Sequence, residues 1–217
     1  TLYNDSLMLM MGFNNLSALG ENDSYMVDVS RFGNNGNCSG TTCPNWNVSG
    51  RYGGAYTFDS VNDFINLGAA STNRLSGLAR MTLSVWVRPA NATGTGAAVC
   101  LWDTVGGVNQ RTYTLSVSSK PYFMISSNGQ DSGASVVYAN SSLQKNNWTH
   151  VAGVWNGTGL KIYTNGVYEN QTNGPTSMFL ATTNRVGIGA CPGRAGDTVI
   201  SNFNGTIDEV RIWNSSF

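Results

Sequence analysis

The chain has 217 residues, with 12 basic against 12 acidic side chains and only 11% charged residues, against roughly 25% in ordinary soluble domains. A net charge of zero with no basic block excludes nucleic acid and an anionic membrane surface as partners, because both demand clustered Lys and Arg. No apolar run approaches the roughly twenty residues of a membrane helix, so direct insertion into a bilayer is not expected.

No window carries an apolar stripe at helical spacing between caps. Period-two segments recur instead, punctuated by Gly, Asn and Asp. The longest apolar run, Leu7-Met8-Leu9-Met10-Met11, is strand-length and reads as a strand buried on both faces. With no leader-like segment before it, the sequence reads as a mature protein or as one domain cut from a larger one. Residues 28–36, Asp-Val-Ser-Arg-Phe-Gly-Asn-Asn-Gly, then combine one carboxylate with turn residues whose carbonyls are available.

Cys38 and Cys43 enclose a short loop, which suits a local bridge, and Cys100 with Cys191 would close a long one. Four cysteines allow three pairings, and a metal site is the alternative. There is no Cys-x-x-Cys pair and a single histidine, so two disulfides and an oxidising compartment are expected.

The clearest strand is 81–89. Its Leu83, Val85 and Val87 alternate with Thr82, Ser84, Trp86 and Arg88. Trp102, Asp103, Arg111 and Tyr113 follow, with Asn109 and Gln110 between them. Rings next to hydrogen-bonding groups are what a sugar needs, and these four are the candidate ligand-binding residues. Similar strands run over 113–118, 150–155, 160–164, 185–190 and 206–213. Asn156-Gly157 and Asn165-Gly166 read as hairpin turns. Many short strands with frequent turns predict an all-β fold of two packed antiparallel sheets, in a single domain over 1–217.

Asparagine keeps this weakly charged surface wet. Twelve of the 26 asparagines open an Asn-x-Ser/Thr sequon: Asn4, Asn15, Asn22, Asn37, Asn47, Asn91, Asn140, Asn147, Asn156, Asn170, Asn204 and Asn214. Chance gives about five for this composition. The excess predicts an N-glycosylated protein, although Asn-rich turns bring Ser and Thr along in any case.

Several blocks resemble, in order, those of LamG-like, concanavalin A-like jelly rolls. They are Gly50-Arg51-Tyr52-Gly53-Gly54-Ala55-Tyr56-Thr57-Phe58-Asp59 with Val61-Asn62-Asp63-Phe64-Ile65, then Leu83-Ser84-Val85-Trp86-Val87-Arg88-Pro89. Asn147-Trp148-Thr149-His150-Val151-Ala152 and the closing Phe203-Asn204-Gly205-Thr206-Ile207-Asp208-Glu209-Val210-Arg211-Ile212-Trp213 complete the set. The resemblance implies a jelly-roll sandwich. It leaves function open, because this fold hosts lectins, adhesion modules, spacers and hydrolases.

In the closing strand, simple alternation puts Asp208 on one face with Val210 and Ile212, and so at a core edge. A buried carboxylate needs a cation or a full set of donors, and calcium would supply the cation. The loop after Asp28 resembles the one that closes on this aspartate around a structural calcium in LamG-like domains. The resemblance therefore implies Asp28 and Asp208, with Asn34, as calcium ligands. The alternative is that Asp28 caps its own turn and Asp208 accepts backbone N–H groups.

Catalytic machinery is not expected. The three glutamates, Glu21, Glu169 and Glu209, form no opposed pair of the kind glycoside hydrolysis needs. The Glu-x-Asp-x-x-Glu strand of jelly-roll glucanases is absent, and His150 lies in a strand start used for packing. Trp86 and Trp213 are expected to pack within or beside the core, whereas Arg88, Glu209 and Arg211 can line an open sheet face. The reading is therefore a non-catalytic, secreted or cell-surface module that recognises glycans or glycoproteins. A glycan-coated building block of an envelope or filament, capable of self-assembly, is the alternative.

Overall fold

The computed structural model describes residues 5–91, 96–103, 109–193 and 199–217. It is an all-β sandwich. The first sheet runs Val167–Asn173, Gly159–Thr164, Thr149–Trp155, Met81–Pro89, Asn204–Trp213, Ala55–Asp59, Asn45–Asn47, with Leu7–Met11 also paired to Asn204–Trp213. The second runs Ala134–Tyr138, Tyr122–Ser126, Tyr113–Val117, Gly96–Leu101, Arg185–Ile188, Ile65–Ala69, Gly36–Asn37, Tyr25–Met26. Every pairing is antiparallel, and the Asn156-Gly157 and Asn165-Gly166 turns link neighbouring strands as expected.

Alternation builds the core. Leu83, Val85 and Val87 meet Val151, Ile162 and Ile207 within the first sheet, and face Leu115, Phe123, Ile125 and Ile188 of the second. The two layers sit so close that Gly153 has no room for a side chain: a Cβ there would lie 2.4 Å from the Phe123 ring. Buried polar tips find partners. Trp155 Nε1 donates to the Pro175 carbonyl at 3.0 Å and Tyr56 Oη to that of Asn22 at 3.1 Å.

Both expected disulfides are formed, Cys38–Cys43 and Cys100–Cys191, with Cα–Cα distances of 4.9 and 5.1 Å. The second does more than join two strands. Cys191–Pro192 pairs with Val199–Ile200 as a small ribbon. Cys191 packs with Ala97, Cys100, Trp102, Met124 and Ile200 in an apolar cluster separate from the main core. The bridge thus pins this ribbon to the outer side of the second sheet.

One feature departs from simple alternation. Asn204–Trp213 carries a β-bulge at Glu209, whose φ is 54°. Four residues, Asp208 to Arg211, span what three, Trp86 to Ser84, span on the neighbouring strand. The extra residue shifts the pattern by one. Before the bulge, Ile207 lies opposite Val87 on the core side; after it, Val210 and Ile212 are the buried residues, with Ile212 opposite Leu83. Asp208 therefore shares the outer face with Trp86 and does not share the core face with Val210 and Ile212. The bulge also divides the strand's far edge, which Ala55–Asp59 takes before it and Leu7–Met11 after it.

Candidate functional site

Directly opposed residues of antiparallel strands share a face, so register places the side chains on the outer side of the first sheet. Arg88 lies opposite Thr206, Trp86 opposite both His150 and Asp208, and Ser84 opposite both Ala152 and Arg211. The middle of this face carries an array of rings and cations that begins with Trp86.

Asp208 assembles it. The carboxylate is fully enclosed, and Oδ2 accepts the backbone N–H groups of Arg51 at 2.8 Å and Tyr52 at 3.0 Å. These residues tip a tight turn closed by Gly50 N–H to the Gly53 carbonyl at 2.8 Å. Two N–H groups in succession bind a carboxylate well, so the turn is drawn down onto the sheet. Arg51 Cζ then sits 4.5 Å from the Trp86 ring centroid and 5.1 Å from that of Tyr52. Tyr52 meets Trp86 edge-on at 6.0 Å, and Trp86 meets His150 at 5.4 Å. Alongside, Arg88 Cζ lies 5.2 Å from the Trp148 ring while its Nη2 donates to Thr206 Oγ1 at 3.3 Å.

The electrostatics follow from this packing. Burial raises the Asp208 carboxyl from its ordinary 3.8 to about 6, with the Glu209 charge adding to the effect and the N–H groups of Tyr52, Arg51 and Glu209 opposing it. Its Oδ1 is sealed from water without a well-formed hydrogen bond. Burial, and then the Arg211 charge, push the His150 imidazole below its ordinary value, so it is neutral at physiological pH and able both to donate and to accept. Arg211 is paired with Glu209. Arg51 and Arg88 form no ion pair among the described residues. The face therefore offers half-open rings, two unneutralised guanidiniums and a neutral imidazole.

The residues proposed from sequence as ligand-binding lie elsewhere. Tyr113 is 0% exposed, within the main core beside Leu115 and Val117, and burial pushes its phenol up. Trp102 packs against the Cys100–Cys191 bridge, and Asp103 beside it is also buried. Arg111 pairs with Asp131 at 3.4 Å. As they stand, these four do not present a platform to solvent. Of the three candidate calcium ligands, Asp28 and Asn34 are held together. Asp28 Oδ1 accepts the N–H groups of Met10 and Ser30, both at 2.9 Å. Its Oδ2 accepts Ser30 Oγ at 2.7 Å and Asn34 N–H at 2.8 Å, while Asn34 Nδ2 donates to the Met8 carbonyl at 2.9 Å. Asp28 is thus satisfied by its own loop and by the first strand. Asp208 serves a different turn, and its Oδ1 is the one carboxylate oxygen of this set left open. No group of three or more His, Cys, Asp or Glu side chains gathers in metal-binding geometry among the described residues.

Among the sequons, Asn4 lies outside the described residues. Asn22, Asn37, Asn140, Asn147, Asn156 and Asn214 are exposed, and Asn15, Asn47, Asn91, Asn170 and Asn204 are half-buried. At Asn22 and Asn156 the side-chain oxygen accepts both the N–H and the hydroxyl of the sequon Ser24 or Thr158.

Comparison with known proteins agrees with this architecture. Residues 45–217 match the family described as the concanavalin A-like lectin/glucanases superfamily. No curated protein matches the chain. Among solved structures, domain 4 of AbnA, a GH43 extracellular arabinanase from Geobacillus stearothermophilus in complex with arabinotriose, is similar at 19% identity and a TM-score of 0.67. The match covers 98% of this chain and 94% of that one. The CBM40 of a Ruminococcus gnavus IT-sialidase bound to α2,3 sialyllactose is similar at 11% identity and a TM-score of 0.56, over 75% of this chain and 87% of that one. A heptameric SAP-like pentraxin from Limulus polyphemus gives 13% and 0.56, over 74% and 76%.

Proposed function

Because the chain belongs to the concanavalin A-like lectin/glucanases superfamily, we propose that it is a non-catalytic glycan-binding module, acting outside the cell through the outer face of its first sheet. The observation that carries this reading is the Arg51, Tyr52, Trp86 and His150 array held over that face by Asp208. Sugar rings present C–H faces that pack on aromatic side chains and hydroxyls that pair with Arg and neutral His. The named binding partners of two similar folds, arabinotriose and sialyllactose, support the same class of ligand. The exposed sequons fall in loops, at strand ends and on the second sheet, whereas the first sheet carries the half-buried sequons of Asn47, Asn170 and Asn204 on its strands.

Binding without turnover is supported by the state of the two carboxylates on this face. Asp208 is occupied by backbone N–H groups and Glu209 by Arg211. The two disulfides support an oxidising, extracellular setting, and no helix among the described residues is long and apolar enough to cross a membrane. A second reading, a glycan-coated structural block, is favoured by the six exposed sequons alone.

An immobilised panel of neutral and acidic glycans separates the two. The recognition reading expects saturable binding that falls at least about tenfold, the loss of one central contact, in Arg51→Ala or Tyr52→Ala; both residues are exposed. Equal binding by wild type and both variants, or none to any glycan, would count against it.

A further inference from the structure

The opposite side of the sandwich carries a concavity that this function does not use. It opens on the outer side of the second sheet, where Gly36–Asn37, Ile65–Ala69 and Arg185–Ile188 lie side by side. About 520 Å³ in volume, it falls in the range of small-molecule sites, about 300–1,000 Å³. Tyr25 and Phe64 form apolar walls, and Asn37, Ser39, Asn66 and Arg185 supply polar groups. The Cys38–Cys43 bridge stiffens one side of the opening.

Register explains why these groups converge. Val186 and Ile188 are buried in the core, so Arg185 points outward; Ile65 and Leu67 are likewise buried, so Asn66 does too. Asn37 lies opposite Asn66 across the ladder. The Arg185 guanidinium makes no hydrogen bond or ion pair among the described residues, and no carboxylate lines the concavity. Asn66 uses its Oδ1 on the Gly68 N–H at 2.9 Å, which leaves its amide N–H groups for a ligand. The Asn37 side chain has no protein partner among the described residues. The site is therefore rich in donors and carries one unneutralised cation.

We propose that this concavity is a second binding site, for an acidic saccharide whose carboxylate pairs with Arg185. A guanidinium binds a carboxylate through two parallel N–H groups. The amides of Asn37 and Asn66 and the Ser39 hydroxyl address ring hydroxyls, and Tyr25 and Phe64 cover the apolar side of the sugar. The site is on the other sheet from the Arg51 and Trp86 array, so it stands or falls independently of that reading. Asn37 also opens a sequon, and a glycan attached there would fill the mouth; glycan attachment and ligand binding exclude each other on one molecule.

The test uses the whole chain produced in a host that adds no N-glycans, followed by amide NMR during titration with glucuronic acid, N-acetylneuraminic acid and, as a neutral control, glucose. The proposal expects saturable shifts around Tyr25, Asn37 and Asn66 with at least one of the two acids, and none there with glucose. In Arg185→Ala affinity falls at least tenfold, and in Arg185→Lys it is partly retained and more sensitive to salt. Arg185 is a half-open surface residue, so the variants fold. The proposal is overturned if neither acid shifts these amides, or if Arg185→Ala binds as tightly as wild type.

Discussion

Asp208 gives the account its sharpest energetic test. Its carboxyl is raised from 3.8 to about 6, so between those values the folded protein holds a proton that the unfolded chain releases. Stability therefore rises as pH falls through about 6 and is lost again as pH rises through it. At 1.36 kcal/mol per pH unit the full effect is about 3 kcal/mol. For a domain of this size each kcal/mol moves Tm by roughly 2 to 4 °C, which predicts a rise of about 6 to 12 °C from pH 7.5 to pH 4. His150 works the other way: its lowered pKa means that the unfolded chain binds protons first below about 6.5, and stability is lost as pH falls. The assay is thus the difference between wild type and Asp208→Asn, melted in chelator from pH 7.5 to 4, with His150 common to both. Wild type should gain on the variant as pH falls. Parallel curves, within about 2 °C throughout, would refute the sealed carboxylate. Repeating the series in calcium tests the ion expected from sequence. A calcium ion on the open Oδ1 would hold the carboxylate charged, raise Tm at pH 7.5 and abolish the trend; an unchanged series would dismiss it.

Other consequences are read from separate parts of the fold. Gly153→Ala puts a methyl group into the Phe123 ring and should cost about 1 to 3 kcal/mol by overpacking, measured by urea unfolding; an unchanged midpoint would mean that the sheets are not so closely apposed. Replacing Cys100 and Cys191 together opens a loop closed over 91 residues and should cost about 2 to 5 kcal/mol, with hydrogen exchange quickening first in the ribbon that the bridge pins. Asp28→Ala leaves Met10, Ser30 and Asn34 N–H groups without their acceptor and should cost at least about 2 kcal/mol, whether or not calcium is present.

The sequence told most about what depends on neighbours along the chain. Alternation in 81–89 placed Leu83, Val85 and Val87 inward and Arg88 outward, as found. The same rule applied to Tyr113, Leu115 and Val117 puts that tyrosine in the core, where its ring is closed to solvent. Trp86, expected to pack within or beside the core, occupies an outward position between Val85 and Val87 and is half-open. Two features had no local signal. The bulge at Glu209 forces a non-glycine residue to φ 54°, and nothing in Asp208-Glu209-Val210 announces it. The turn carrying Arg51 and Tyr52 docks onto Asp208 from 157 and 156 residues away, a pairing decided only when the first sheet has brought its early strands against its last.

Whether glycans bind on the outer face of the first sheet is decided by mapping. A glycan selected from the panel is titrated into labelled protein and the perturbed residues are located by NMR. Saturable shifts are expected at Arg51, Tyr52, the Trp86 indole and His150, abolished in Arg51→Ala with the rest of the spectrum intact. Shifts confined to Trp102, Asp103 and Arg111, or spread over the loops with the first sheet silent, would contradict binding on that face.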